Sequence, residues 1–355
     1  LSACSPTTTL PPATATIPIG TQEPVSFPLS EPGPYNVGKR EYIIVDESRN
    51  DRQIQLTIWY PALKQTDGGL TMTDREPDFS GAPYPLILTG PNSGDILFRT
   101  HLATHGFVMA TVHFPDYYDY PDFQVVDHPK DFLFSLDQIA SKPLEGLDGV
   151  IDSDHVGVVG YSGDGFISLT LSGVRLDPDF YLSFCEQAPA RQPPLSDWYV
   201  KFWCGLAEKW DEFAIHAGEE VTTSDNGLWQ ALTDERIRVV IPMAADGAQL
   251  YGVRGLSMAD RPMLLLSPTN DEYVPYQIET AFIFEHAGSS EKFLISFIGK
   301  THMMVTETLA ARRLKHFATA FLGYHLQGKH EYRYYFSEEF VSQFDDLFWG
   351  VYPNE

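Results

Sequence analysis

Ser162 is the residue in this sequence best suited to act as a nucleophile. The segment VGVVGYSGDG, residues 156–165, is typical of a strand that runs directly into a turn and then a helix. Such a turn presents the serine oxygen above the end of a sheet. The backbone N–H of Gly163 can then face the oxyanion that forms during acyl transfer. Taken alone, the pattern fits an ordinary helix-capping serine equally well.

Two later residues supply the groups that a reactive serine needs. A serine hydroxyl is a poor nucleophile at neutral pH and requires a base, itself oriented by a carboxylate. Asp271 follows the apolar segment MLLLS and His302 follows FLISFI, so both are expected just beyond strand ends. The order Ser162, Asp271, His302 predicts a catalytic triad. Asp246, after RIRVVIPMAA, is the alternative acid.

The loop GPNSGD, after the predicted strand PLILT, is expected to supply a second oxyanion donor. Pro91 has no N–H, which leaves Asn92 or Ser93. Asp164 follows Gly163, and a carboxylate about 6 Å from the oxyanion would repel it by roughly 3 kcal/mol. We therefore expect Asp164 to turn away, toward helix N–H groups or a cation.

Positioning these residues requires an ordered set of strands and helices. Residues 41–46 and 53–60 alternate apolar and polar side chains around a polar turn, which predicts an antiparallel hairpin. Later strands are unalternating and separated by helices, which predicts an α/β fold with a mostly parallel central sheet and helices on both faces. These strands are expected at 85–89, 107–114, 155–160, 236–243, 263–267 and 293–298.

Helix positions follow from turn residues and apolar spacing. A helix is expected to open at His128-Pro129, with the proline in its first turn. Another is expected near the C-terminus, with Ala310, Leu314, Phe317 and Phe321 on one face. His101 and His105 lack the glutamate of a zinc-binding helix, so they are predicted to be helix surface residues rather than metal ligands.

Residues 177–232 interrupt the alternation with an aromatic-rich, lid-like insertion before the sixth strand. We predict that most of its aromatic side chains pack the insertion onto the body. Leu206, Trp210 and Phe213 have the spacing of an amphipathic helix.

A few aromatic side chains are instead expected to line a substrate pocket. These are Trp198 and Trp203 from the insertion, and Tyr117 and Tyr118 from the loop PDYYDYPDF.

Charge and hydropathy exclude several classes of protein. The 355 residues carry 48 acidic and 24 basic side chains, a formal charge of −24. Nucleic acid is a poor partner for such a surface, and so is anionic lipid through a basic patch. No run of about 18 consecutive apolar residues is present, as a spanning helix would require.

The first residues suggest a location outside the cytoplasm. Leu1-Ser2-Ala3-Cys4 is similar to the lipobox of bacterial lipoproteins, which would place a lipid anchor on Cys4. The Thr- and Pro-rich residues up to 34 are predicted to form an extended tether to a body of residues 35–355. A trimmed secretion signal is the alternative. In either case Cys185 and Cys204 can close a disulfide loop.

From about residue 34 to 340 the chain resembles the α/β hydrolases grouped with bacterial platelet-activating-factor acetylhydrolases and dienelactone hydrolases, and more distantly the cutinase-like polyester hydrolases. The similar segments are LATHGFVMATVHFPD, HPKDFLFSLDQI, DSDHVGVVGYSGDGFISLTLSG, DERIRVVIPMAADG, NDEYVP and KTHMM. The resemblance implies ester hydrolysis without metal or organic cofactor, through an acyl-enzyme on Ser162. It implies that His302 acts as base and then acid, held by Asp271. Family elbows read Gly-x-Ser-x-Gly-Gly, so Asp164 is a departure.

The predicted function is that of a surface-tethered serine ester hydrolase acting on apolar or aromatic esters, whether lipid, aryl or polyester. Its expected partner is a small or polymeric ester, with the membrane contacted only through Cys4. An amidase or peptidase with the same triad is one alternative. A catalytically inactive binding lipoprotein on the same scaffold is the other.

Overall fold

The computed structural model describes most of the chain. Its described residues are 26–64, 72–116, 122–192, 194–223 and 226–353. Cys4, Tyr117 and Tyr118 lie outside these ranges, so the roles predicted for them stay predictions.

Nine strands form one sheet with the order β1-β2-β4-β3-β5-β6-β7-β8-β9. The strands are β1 Asn36–Asp46, β2 Arg52–Ala62, β3 Tyr84–Thr89, β4 Val108–His113, β5 Ile151–Tyr161, β6 Ile237–Met243, β7 Met263–Pro268, β8 Lys292–Phe297 and β9 Leu347–Trp349. In the sheet order, every pair of neighbouring strands from β4 to β8 is parallel. The β1–β2 hairpin and β9 pair antiparallel at the two edges. This confirms the predicted α/β class with a mostly parallel central sheet.

Helices fill the connections between these strands. The α-helices are α1 His101–Thr104, α2 Gln124–Ser141, α3 Gly163–Thr170, α4 Pro178–Gln187, α5 Asp197–Cys204, α6 Trp210–Ala217, α7 Glu219–Thr222, α8 Ala248–Leu256, α9 Phe282–His286, α10 Thr308–Gln327 and α11 Glu338–Val341. Two π-helices span Asn92–Phe98 and Gln277–Ala281. Among the described residues, no helix is long and apolar enough to cross a bilayer.

The sheet is buried on both faces, as its apolar strands require. Successive strand residues point to opposite faces. Leu86 and Leu88 of β3 join the core beneath α2 and α3, whereas Ile87 joins the core beneath α10. The four residues predicted to share one face of the C-terminal helix are all buried in α10.

Helix α2 corrects the predicted start at His128-Pro129. It begins at Gln124, and Pro129 lies inside it. The proline cannot donate to the carbonyl of Val125, yet Val125 and Val126 are buried. Burial of this first turn extends the helix beyond the point that the proline indicates.

His101 and His105 are buried rather than exposed, which corrects their prediction as surface residues. The Nε2 atom of His101 lies 3.0 Å from Thr319 Oγ1 of α10, and that of His105 lies 2.9 Å from the Glu31 carbonyl oxygen. Burial lowers the pKa of both imidazoles, to about 3 for His101. Helix α1 is therefore covered on a face that the sequence assigned to solvent.

The segment from residue 26 packs on α10, which corrects the predicted tether boundary at residue 34. Phe27 and Leu29 are buried. The Leu29 N–H donates to His316 Nδ1 at 3.1 Å, and the Phe27 ring stacks on Phe344 with centroids 4.6 Å apart.

The segment between α3 and β6, where the insertion is expected, contains α4 to α7. A disulfide joins Cys185 of α4 to Cys204 of α5, with Cα atoms 5.3 Å apart. The predicted amphipathic helix is divided into a 3-10 turn, Gly205–Lys209, followed by α6. Leu206 and Phe213 are buried beneath it, as their spacing indicates.

Candidate active site

Ser162, Asp271 and His302 meet at the C-terminal edge of the parallel sheet. Ser162 follows β5 directly, and the other two lie in the loops after β7 and β8. His302 Nε2 lies 2.9 Å from Ser162 Oγ, and His302 Nδ1 lies 2.8 Å from Asp271 Oδ2. An imidazole thus bridges a hydroxyl and a carboxylate, the arrangement needed to take a proton from the serine.

The backbone at Ser162 is held in a tight turn. Its φ and ψ are 58° and −125°, which is uncommon for a non-glycine residue and costs of order 1–3 kcal/mol. The Ser162 N–H donates to the Met243 carbonyl at 2.9 Å. A Cβ at Gly160 would lie 1.8 Å from the Asp164 carbonyl oxygen, so β5 and α3 approach this closely only with glycine there.

Asp271 is a fixed, buried partner for the imidazole. Its side chain has no exposed surface. Oδ1 accepts the N–H groups of Tyr273 and Val274 at 2.9 and 2.8 Å, which leaves Oδ2 directed at His302. Burial alone would lower the pKa of His302. The hydrogen bond and charge of Asp271, with neighbouring carboxylates, raise that pKa above its ordinary value.

Two residues that the sequence did not indicate hold the backbone of His302. Glu272 Oε2 accepts the His302 N–H at 3.0 Å, and the Tyr161 hydroxyl donates to the His302 carbonyl at 2.6 Å. Both residues adjoin triad members in the chain. That adjacency is the signal that could have found them.

Asp164 faces the loop after β3 rather than solvent. Its Oδ2 accepts the Ser93 N–H at 2.8 Å, at the start of the Asn92–Phe98 helix. Burial raises the pKa of Asp164 to about 7, although the N–H groups of Ser93 and Asn92 oppose this shift. Asp164 therefore contacts helix N–H groups as expected, but those of a neighbouring helix.

This contact corrects the assignment of Ser93 as an oxyanion donor. The Ser93 N–H is already used by Asp164, and its Oγ accepts the Tyr161 N–H at 2.7 Å. Gly163 remains suitable, because a first-turn N–H has no acceptor within its own helix. A Cβ at Gly163 would meet no atom within 4 Å, so this position borders open space. Asn92 lines the same cavity. Because its N–H also interacts with Asp164, its side-chain amide is the remaining candidate for the second donor.

Ser162 and His302 open into a cavity of about 340 Å³ with an aromatic wall. Trp198 and Trp203, both predicted to line a pocket, do so together with Phe202 of α5. Tyr273 connects this wall to the triad. Its ring centroid lies 5.5 Å from that of Trp198 and 5.4 Å from that of His302. A larger groove, of about 1070 Å³, lies along the insertion and is lined by none of the triad.

Helix α5, which carries the aromatic wall, is attached to the body through Tyr199. The buried Tyr199 hydroxyl donates to Glu279 Oε1, and Glu279 Oε2 accepts the Ala248 N–H at 2.8 Å. Burial raises the pKa of Glu279 well above its ordinary value, and the charge of Asp246 adds to the shift.

Asp246, the alternative acid, lines the cavity but does not take the place of Asp271. The Nδ1 atom of His302 is paired with Asp271. Asp246 is 9% exposed, and its buried Oδ1 has no hydrogen-bond partner among the described residues. Burial raises the pKa of Asp246 to about 7; the charge of His302 opposes this shift.

Among the described residues, no group of three or more His, Cys, Asp or Glu side chains is arranged to hold a metal ion. A scan against protein-family models matches no family, and a search of curated proteins finds no match.

Proposed function

We propose that this protein is a serine carboxylic ester hydrolase with the α/β-hydrolase fold. The single observation that carries the proposal is the hydrogen-bonded series from Ser162 Oγ through His302 to Asp271. The strained turn at Ser162 and the position of Gly163 in the first turn of α3 support it, because acyl transfer needs an exposed nucleophile beside an oxyanion donor. The α4–α7 insertion would serve as a lid-like wall of the substrate cavity.

The reaction follows from these positions. His302 Nε2 takes the proton of Ser162 as Oγ attacks the ester carbonyl carbon. The oxyanion of the tetrahedral intermediate accepts the Gly163 N–H and a donor from Asn92. The imidazolium, stabilised by Asp271, then protonates the leaving alcohol, and an acyl-enzyme remains on Ser162. A water molecule then attacks the acyl carbon as His302 takes its proton. The bond from that carbon to Ser162 Oγ breaks, His302 returns the proton to Oγ, and the acid is released.

The lining of the cavity favours apolar or aromatic esters. Phe114, Phe166, Ile167 and Val274 join the aromatic wall described above. A cavity of this size and character fits the acyl or alcohol group of aryl and short lipid esters. A polyester chain could enter from the side of Trp198, which is 42% exposed.

The test is covalent labelling combined with substrate hydrolysis. A fluorophosphonate should label the protein, and a series of p-nitrophenyl esters of increasing chain length should be hydrolysed. Ser162→Ala should abolish both, whereas Ser183→Ala, an exposed serine of α4, should change neither. Faster cleavage of a matched anilide than of the ester would indicate an amidase. An unlabelled protein that cleaves neither substrate would be a binding protein on this scaffold, and the proposal would fail.

The proposed location is outside the cytoplasm, through a lipid anchor on Cys4. Expression with a bacterial lipoprotein signal sequence should place the protein in the membrane fraction. Cys4→Ala should release it, and an unchanged distribution would contradict the anchor.

A further inference from the structure

The substrate cavity combines a continuous aromatic wall with an acidic base. Around the wall, Trp198 stacks on Phe202 with centroids 4.8 Å apart, Phe202 lies edge-on to Trp203 at 5.3 Å, and Trp203 lies 6.0 Å from Phe166. Trp198 is at the mouth, whereas Trp203 and Phe166 are buried at the base. The aromatic rings of Trp198, Phe202, Trp203 and Phe166 therefore line the same cavity.

Asp246 lies beside the buried end of this wall. A Cβ at the adjoining Gly247 would lie 2.7 Å from the Phe166 ring, so the backbone next to Asp246 is in contact with that ring. Asp246 lines the cavity, and its Oδ1 is buried without a partner among the described residues. A negative charge in a low-dielectric cavity attracts a cation more strongly than it would in water.

No Lys or Arg is present among the described residues that line the cavity. The basic groups among them are His128 and His302. The latter pairs with Asp271, and His128 stacks on Phe114 and faces Asp116. The other lining carboxylate, Asp164, already accepts the Ser93 N–H. Asp246 is therefore the carboxylate of the cavity lining that can pair with a positively charged group of the substrate.

We infer that the cavity selects esters that carry an ammonium group, with Asp246 as the counter-ion and the rings of Trp198, Phe202 and Trp203 around the cation. An ammonium ion is attracted to the faces of aromatic rings and most strongly to Trp, and quaternary ammonium groups are bound in aromatic cages of this kind. The inference rests on the proposed ester hydrolysis and names its substrate class. Asp246 and the aromatic wall determine specificity, while the triad performs the chemistry.

The test compares two esters of the same shape that differ in one charge. These are 2-(trimethylammonio)ethyl acetate and 3,3-dimethylbutyl acetate. The measured quantity is the ratio of their kcat/KM values, cationic over neutral. Asp246→Asn should lower this ratio by about tenfold relative to the wild-type enzyme. Comparing the ratios cancels the intrinsic reactivities of the two esters. Asp211→Asn, which removes the same charge from an exposed position in α6, should leave the ratio unchanged.

Trp198→Ala provides a second variant whose folding is not at issue, because Trp198 is partly exposed at the mouth. It should also lower the ratio, by about threefold. A ratio that neither substitution changes, in enzymes that still hydrolyse the neutral ester, would overturn the inference and leave the proposed function standing.

A binding measurement separates failure of the inference from failure of the proposed function. Phenyltrimethylammonium should bind the Ser162→Ala protein, as followed by tryptophan fluorescence. In Ser162→Ala/Asp246→Asn its Kd should rise about tenfold. If no ester is hydrolysed but this shift is observed, the hydrolase proposal fails and the ammonium site remains. Equal Kd values in the two proteins would overturn the ammonium site.

Discussion

The Asp164 carboxylate occupies the space that a side chain at position 90 would need, and Gly90 has none. A Cβ at Gly90 would lie 2.1 Å from Asp164 Oδ1. Asp164 is buried against the loop after β3, and glycine at position 90 leaves room for its carboxylate. Asp164 in turn accepts the Ser93 N–H, so the loop and the start of α3 are joined next to Ser162.

Gly90→Ala should therefore destabilise the protein by about 1–3 kcal/mol, the usual cost of overpacking a buried site. Urea unfolding measures the loss. In Gly90→Ala/Asp164→Gly the clash is absent, so the two substitutions should couple by about 1 kcal/mol or more.

Gly205→Ala is the control for this experiment. Gly205 has a φ of −58°, and a Cβ there would meet no atom within 4 Å, so this substitution should be neutral or slightly stabilising. If the changes in unfolding free energy caused by Gly90→Ala and Asp164→Gly are additive, a side chain at position 90 does not compete with the Asp164 carboxylate for space.

Asp271→Asn and Asp246→Asn should differ strongly in their effect on turnover. Of these two carboxylates, Asp271 is the one hydrogen-bonded to the imidazole, so Asp271→Asn should lower kcat by about 10⁴-fold. Asp246→Asn should lower kcat for a p-nitrophenyl ester by no more than about tenfold, because it acts on His302 only through its charge. A reversed order of the two effects, measured by steady-state kinetics, would make Asp246 the catalytic acid.

The acidic limb of the pH profile of kcat/KM should lie above 6.5. The imidazole must be neutral to accept the serine proton, and Asp271, Asp246 and Glu272 raise the pKa of His302 above that ordinary value. Activity should fall as pH drops through the raised pKa.

Asp246→Asn removes one of these negative charges and should move the limb to lower pH, while Asp211→Asn should not move it. A shift of the limb to higher pH in Asp246→Asn would contradict the proposed electrostatics.

The Cys185–Cys204 disulfide should stabilise the insertion against unfolding. The two cysteines are separated by 19 positions, and closing a loop of this length contributes about 3 kcal/mol in the chain-entropy view. Cys185→Ser/Cys204→Ser should lose a stability of this order in urea. Reduced wild-type protein should behave like the double variant. If the double variant is less stable and the reduced protein is not, then packing of the sulfur atoms, rather than the covalent link, stabilises this region.

The sheet and the triad could be predicted from sequence because their signals are local. The residues at 162, 271 and 302 each follow an apolar run, and parallel strands bring the ends of such runs to one edge. The apolar spacing of α10 is equally local. The sequence signals that predict these elements lie within the elements or a few residues from them.

The remaining features depend on contacts between distant segments. The use of the Ser93 N–H by Asp164 could not be anticipated from the loop alone. His101 and His105 have the polarity of surface residues, but α10 and the segment near Glu31 cover them. Pro129 indicates a helix start, but burial of Val125 and Val126 overrides that indication.

Glu279 joins the helix that carries the aromatic wall to the backbone near Asp246. One of its oxygens accepts the Tyr199 hydroxyl from the helix that carries the tryptophans, and the other accepts the backbone of Ala248, two residues beyond Asp246. The insertion is therefore not an interchangeable module. In a chimaera that takes its segment between α3 and β6 from another protein, we expect this segment to keep its position relative to Ser162 only if a hydroxyl is retained at position 199.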